Sequence, residues 1–67
     1  MADNFFTWYN SLPQQQREDI RSEWEKKTGL SKMTLYQKIH NRRFKRIDIM
    51  AVEMIAGRKF DWTSNHN

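Results

Sequence analysis

The sequence predicts an all-α protein, a compact four-helix domain that contains a helix-turn-helix. Three observations predict it. Phe5, Trp8, Tyr9 and Leu12 recur at the i, i+3, i+4, i+7 spacing of one helical face. Gly29 closes a polar helical stretch and is followed by Ser31, a good N-cap for the segment behind it. A nearly apolar run over residues 47–56 then stops at Gly57. The chain has 67 residues and no cysteine, so one domain must hold without disulfides, near the lower size limit for doing so.

The elements follow in order. Asp3 is placed to cap a first helix that runs to about Ser11, with the aromatic stripe as its core face. Pro13 suits the first turn of a second helix, where its missing N–H costs nothing. Glu18 and Asp19 come early in that helix and Lys26 and Lys27 late, in keeping with the dipole. Ile20 and Trp24 form its sparse apolar face, and Gly29 ends it.

With Ser31 as cap, the third helix covers about Lys32 to Asn41, and Leu30 and Leu35 take the two positions of a hydrophobic staple. At about 100° per residue, Leu35 and Ile39 face the core. Met33, Gln37 and His40 point away, with Tyr36 on one flank, Thr34 and Asn41 on the other, and Lys32 and Lys38 at the borders. Residues 41–46 make a short connector in which Phe44 folds back as an anchor. A fourth helix, about Arg46 to Ala56, is apolar almost all round and is therefore expected at the centre of the core. Residues 59–67 form a polar tail whose Phe60 and Trp62 can return to the domain.

Charge is segregated. Residues 1–28 carry four basic and five acidic side chains. Residues 29–46 carry Lys32, Lys38, Arg42, Arg43, Lys45 and Arg46 with no acid, and residues 47–67 carry two basic and three acidic. The excess on and just after the third helix points to a polyanionic partner. Lys45 and Arg46 also stand at the start of the fourth helix, where the dipole favours anions and a cation loses roughly 0.3–1 kcal/mol. A docked phosphate would remove that conflict and meet the free N–H groups of the helix end.

Residues 29–39 resemble the turn and recognition helix of helix-turn-helix DNA-binding proteins, most nearly the Fis-type pattern. Gly29, Leu30, Ser31, Lys32, Thr34, Leu35, Tyr36, Lys38 and Ile39 fit it. The apolar helix that follows is instead similar to the lambda repressor and Cro group of small regulators. Those families place a small residue four positions before the turn glycine. Here it is Glu25, so either the helix crossing is wider or Glu25 swings out to solvent. The resemblance implies a third helix in the major groove of double-stranded DNA. Met33, Thr34, Tyr36 and Gln37 would contact bases, Gln37 by pairing with adenine. Ser31, Lys32, Lys38, Arg42, Arg43, Lys45 and Arg46 would contact phosphates.

The expected function is thus sequence-specific DNA binding by a transcriptional regulator, a repressor or activator of phage or bacterial type. Its place would be the bacterial cytoplasm or a phage-infected host cell, which a cysteine-free chain suits. The alternative is a small helical adaptor whose basic face grips an acidic protein; RNA binding ranks third, because Tyr36 alone makes no stacking platform. A homodimer is an option, with Phe5 and Phe6 or Phe60 and Trp62 as its surface. No cofactor or metal is implied, and no constellation suggests an enzyme. No run is apolar and long enough for a membrane span, and the N-terminus does not read as a secretory signal.

Overall fold

A computed structural model of the chain describes residues 3–65, and over that span the protein is all-α. Its helices are α1 (Phe5–Ser11), α2 (Gln14–Thr28), α3 (Lys32–Asn41) and α4 (Arg46–Ala56). Among the described residues the only extended pairing is an isolated bridge between Asn4 and Asp61. The bounds of α3 and α4 are those expected from the sequence, while the starts of α1 and α2 are each displaced by one residue.

Local chemistry explains both displacements. Asn4 caps α1, its Oδ1 accepting from the amides of Phe6 and Thr7. Asp3 lies one residue too early and pairs with Arg58 at 3.1 Å. Pro13 is the N-cap of α2, with Gln14 as the first helical residue. Glu18 and Asp19 therefore fall outside the first turn and face Gln14 and Gln15, one turn back. Only the cationic half of the dipole match is realised, by Lys26 and Lys27 in the last turn.

The centre of the core is aromatic and belongs to α1. Phe5, Phe6, Tyr9, Trp24, Leu35, Phe44, Val52 and Phe60 are buried together, with Trp8, Ile20, Ile39, Ile49 and Trp62 packed around them. Phe44 is the anchor expected of the connector, and Asn65 clamps its backbone. The Phe44 N–H donates to Asn65 Oδ1 at 2.6 Å, and Asn65 Nδ2 donates to the Phe44 carbonyl at 2.7 Å. The expected return of Phe60 and Trp62 to the domain is realised. Glu53 Oε2 accepts from the Phe60 amide at 3.0 Å and from Trp62 Nε1 at 3.1 Å. Both aromatic pairs weighed as dimer surfaces are thus used inside the fold. The end of the expected tail, His66 and Asn67, lies outside the described residues.

Trp24 shows how the balance is struck. Its Nε1 is buried with no hydrogen-bond partner among the described residues. An orphan N–H costs about 1–3 kcal/mol. Burying roughly 200 Å² of indole contributes about 5 kcal/mol at 25 cal per Å², so burial wins.

The expectation for α4 is corrected. Its only buried residues are Val52 and Asp48, while Ile47, Met50 and Met54 are 73%, 58% and 68% exposed. In this domain α2 packs along one side of α4 and the returning chain end meets another through Glu53, and the stripe of Ile47, Met50 and Met54 is left open. Leu30, 43% exposed, lines a groove together with that stripe.

Two substitutions test this assignment of the core. Phe5→Ala should lose about 3–5 kcal/mol of unfolding free energy, and Met54→Lys should change it by no more than about 0.5 kcal/mol. Urea titration followed by circular dichroism measures both, and comparable losses at the two positions would place the core elsewhere.

Candidate nucleic-acid interface

The turn between α2 and α3 is three residues long and held locally. Gly29 adopts a left-handed conformation (φ 75°) and its amide donates to the Glu25 carbonyl at 3.0 Å. A Cβ at Gly29 would meet nothing within 4 Å, so the backbone angle, not crowding, asks for glycine. Thr28 Oγ1 donates to the Trp24 carbonyl and accepts from the Leu30 amide, carrying the chain round. Ser31 then caps α3, its Oγ accepting from the Thr34 amide at 3.2 Å. Glu25 is exposed, so the acidic side chain near the crossing swings out to solvent. Trp24 and Leu35 are both fully buried and take the inner positions.

This geometry presents one face of α3 to solvent. Met33 is 60% and Tyr36 55% exposed, Gln37 and His40 are exposed beside them, and the Tyr36 and His40 rings stack at 6.3 Å. Thr34, expected among the base contacts, is half-buried with its hydroxyl 3.0 Å from Ser31 Oγ. Its hydroxyl therefore belongs to the cap. If Thr34 donates in that pair, the Ser31 proton stays free for a phosphate.

The basic residues divide into two groups. Lys32, Arg42, Arg43, Lys45 and Arg46 are exposed, and none pairs with a carboxylate among the described residues. Lys38, expected at a phosphate, points inward instead. Its Nζ lies 2.9 Å from Asp48 Oδ2, and the two side chains are only 21% and 7% exposed. The same oxygen accepts from the Lys45 amide at 2.9 Å, which is the reverse half of a capping box. Lysine offers no acceptor in return, so Asp48 alone secures the start of α4. One carboxylate therefore ties α3 to α4 and fixes the connector that carries Arg42 and Arg43.

The structure also gathers residues that segment-by-segment charge counting separates. Arg17 and Arg21 of α2 line a cleft shared with Tyr36, His40 and Arg42. Their i, i+4 spacing, which puts both on one face of α2, is the signal in the sequence that could have found them.

No protein-family model, curated protein or solved structure gives a significant match to this chain.

The role of Asp48 can be measured directly. Asp48→Ala should cost about 3 kcal/mol or more, since it strands Lys38 and removes the cap. Lys38→Met should cost less, because Asp48 keeps the Lys45 amide. Chemical denaturation of the two variants gives the order, and an Asp48→Ala loss below about 0.5 kcal/mol would remove Asp48 from this position.

Proposed function

We propose that this chain binds double-stranded DNA sequence-specifically and acts as a transcriptional regulator of phage or bacterial type, with α3 in the major groove. The observation that supports it most is the exposed face of α3, Met33, Tyr36, Gln37 and His40, bordered by five exposed cations without carboxylate partners among the described residues. The ten residues of α3 make a rod about 15 Å long. A major groove about 12 Å wide admits such a helix with side chains reaching the base edges.

The roles follow from position. Gln37, at the middle of the exposed face, offers an amide that pairs bidentately with adenine. Met33 supplies an apolar contact for a thymine methyl, and Tyr36 reaches a base edge or the backbone. Lys32 at one end of α3, with Arg42, Arg43, Lys45 and Arg46 at the other, brackets the face with charges that hold phosphates and orient the domain. Lys38 and Thr34 act from behind, by fixing α3 to α4 and to its own cap. Two copies on adjacent half-sites would raise affinity through effective concentration.

A second reading, the adaptor, is favoured by one observation. The exposed stripe of Ile47, Met50 and Met54 runs from the end of α4 that carries Lys45 and Arg46. A partly apolar, acidic protein surface matches that combination, and a partner captured by this chain and retained after nuclease treatment would support it.

Fluorescence anisotropy against random duplex tests the DNA reading. Binding should weaken with salt at a log–log slope of roughly −0.9 for each phosphate neutralised, or about −4.5 for the five exposed cations together. Gln37→Ala should change which sequences are selected from a random pool, whereas Arg43→Ala should weaken all of them alike. Symmetric half-sites among the selected duplexes would mark a homodimer on DNA. An absence of duplex binding at low salt would sink the proposal.

A further inference from the structure

Between α1, the first half of α2 and the end of α3 lies a half-open cleft of about 290 Å³. Arg17 and Arg21 enter it from α2, and Arg42, His40 and Tyr36 line it from the α3 side. No carboxylate lines it, and none of the three arginines has an acidic partner among the described residues. Ion pairs were within helical reach, since Glu18 and Glu25 sit one turn to either side of Arg21. They do not form: Glu18 faces Gln14, and Arg21 Nη1 donates instead to the Tyr9 hydroxyl at 2.8 Å. Tyr9 is 4% exposed, so that bond anchors the Arg21 fork to the core.

Arg42 is aimed by its backbone. It caps α3 in a left-handed conformation (φ 54°), and its guanidinium lies 5.1 Å above the Phe6 ring. Glycine usually takes that position, and a residue with a Cβ is strained there. Arg42 is the only non-glycine residue with positive φ among those described, and it bends an arginine back toward α1. Three cations thus converge on one polar hollow, two of them positioned by specific contacts, with repulsion among them unrelieved from within. Guanidinium forks match the oxygens of a tetrahedral oxyanion two at a time, which a bound phosphate would exploit and a lysine cluster would not.

We propose that this cleft is a binding site for a single phosphate group, held by Arg17, Arg21 and Arg42 with His40 and Tyr36 at its edge. A DNA backbone phosphate and a free phosphomonoester share the required chemistry. Because Tyr36 and His40 belong both to the cleft and to the exposed face of α3, the backbone is the source expected; that part rests on the duplex-binding reading, and the site itself does not.

The test uses the full chain and nuclear magnetic resonance of its arginine Nε–Hε groups. Inorganic phosphate added at constant ionic strength should shift Arg17, Arg21 and Arg42 saturably and leave Arg58, which is paired with Asp3, in place. Arg17→Gln with Arg21→Gln should weaken that response on the order of tenfold and lower the salt slope of duplex binding by about 0.9, one phosphate. The double lysine variant should keep the slope and lose much of the phosphate response. A phosphate response with an unchanged duplex slope upholds the site and assigns it to a free phosphomonoester; the same response in a chain that binds no duplex upholds the site and removes the DNA reading. Duplex binding with an unchanged slope and no arginine response overturns the site and leaves the DNA reading standing. Silence of all three wild-type arginines toward both phosphate and duplex overturns the site outright, whatever the variants do.

Discussion

Phe5 lies where α1, the α3–α4 connector and the returning chain end meet. Its ring centroid lies between 5.1 and 6.0 Å from those of Phe6, Trp8, Tyr9, Phe44, Phe60 and Trp62. Those rings come from α1, the α3–α4 connector and the returning chain end, so one side chain joins segments nearly sixty positions apart. Each such pair contributes about 0.5–1.5 kcal/mol beyond the area it buries. In a chain of 67 residues without cysteine, this closure takes the place that a disulfide holds in many domains of the size. Backbone and side-chain bonds finish it, from the Asp61 amide to the Asp3 carbonyl at 2.8 Å and from Asn4 Nδ2 to Ser64 Oγ at 2.9 Å.

That closure sets what α3 is free to do. Because the rings of the other segments fill the core, α3 contributes only Leu35 and Ile39 to it. Orientation is then supplied by charge. Asp48 holds Lys38 on one side and the Lys45 amide on the other, so the end of α3 and the start of α4 share one acceptor. The arrangement withdraws Lys38 from solvent, and Arg17 and Arg21 join the basic surface from α2. The cationic region after folding is therefore broader and placed differently from the run of residues 29–46 that announces it.

Legibility in the sequence followed the range of the interactions. The bounds of α3 and α4 were readable because their signals are local: Gly29, the Ser31 cap and Gly57 act within a turn of where they stand. The cap of α1 was missed by one residue because Asp3 and Asn4 are adjacent and either side chain can cap; their choice depends on Arg58 and Ser64, which only the fold brings near. Phe6 lies off the stripe of Phe5 and Tyr9, yet it is buried, since the connector and the chain end cover α1 on more than one side. The apolar character of α4 was plain, but hydrophobicity does not say whether a covering element exists. Lys38 and Asp48 are ten positions apart, and their pairing depends on the connector bringing the end of α3 to the start of α4. On the outer face of α3, the exposure of Gln37, Tyr36 and Met33 was legible from helical phase alone. Arg17 and Arg21 were not, because they lie among acids along the chain and join the other cations only through the fold.

Core and candidate surfaces are separable in this fold, and that has a physical consequence. A side chain that fills the core cannot be changed without loss of stability, so function and folding are confounded wherever one residue serves both. Here the outer face of α3, the connector cations and the stripe of Ile47, Met50 and Met54 lie outside the Phe5-centred cluster. The packing does not depend on them: an exposed methionine or arginine contributes little to stability, and three exposed apolar residues on one helix invite association. Asp48 and Arg42 are the exceptions that join the two regions. Asp48 stabilises α4 while it withholds Lys38, and Arg42 strains its own backbone while it points a charge into the cleft. On the proposed function, substitutions at these two residues move stability and binding together, whereas those at Gln37 or Arg43 move binding alone.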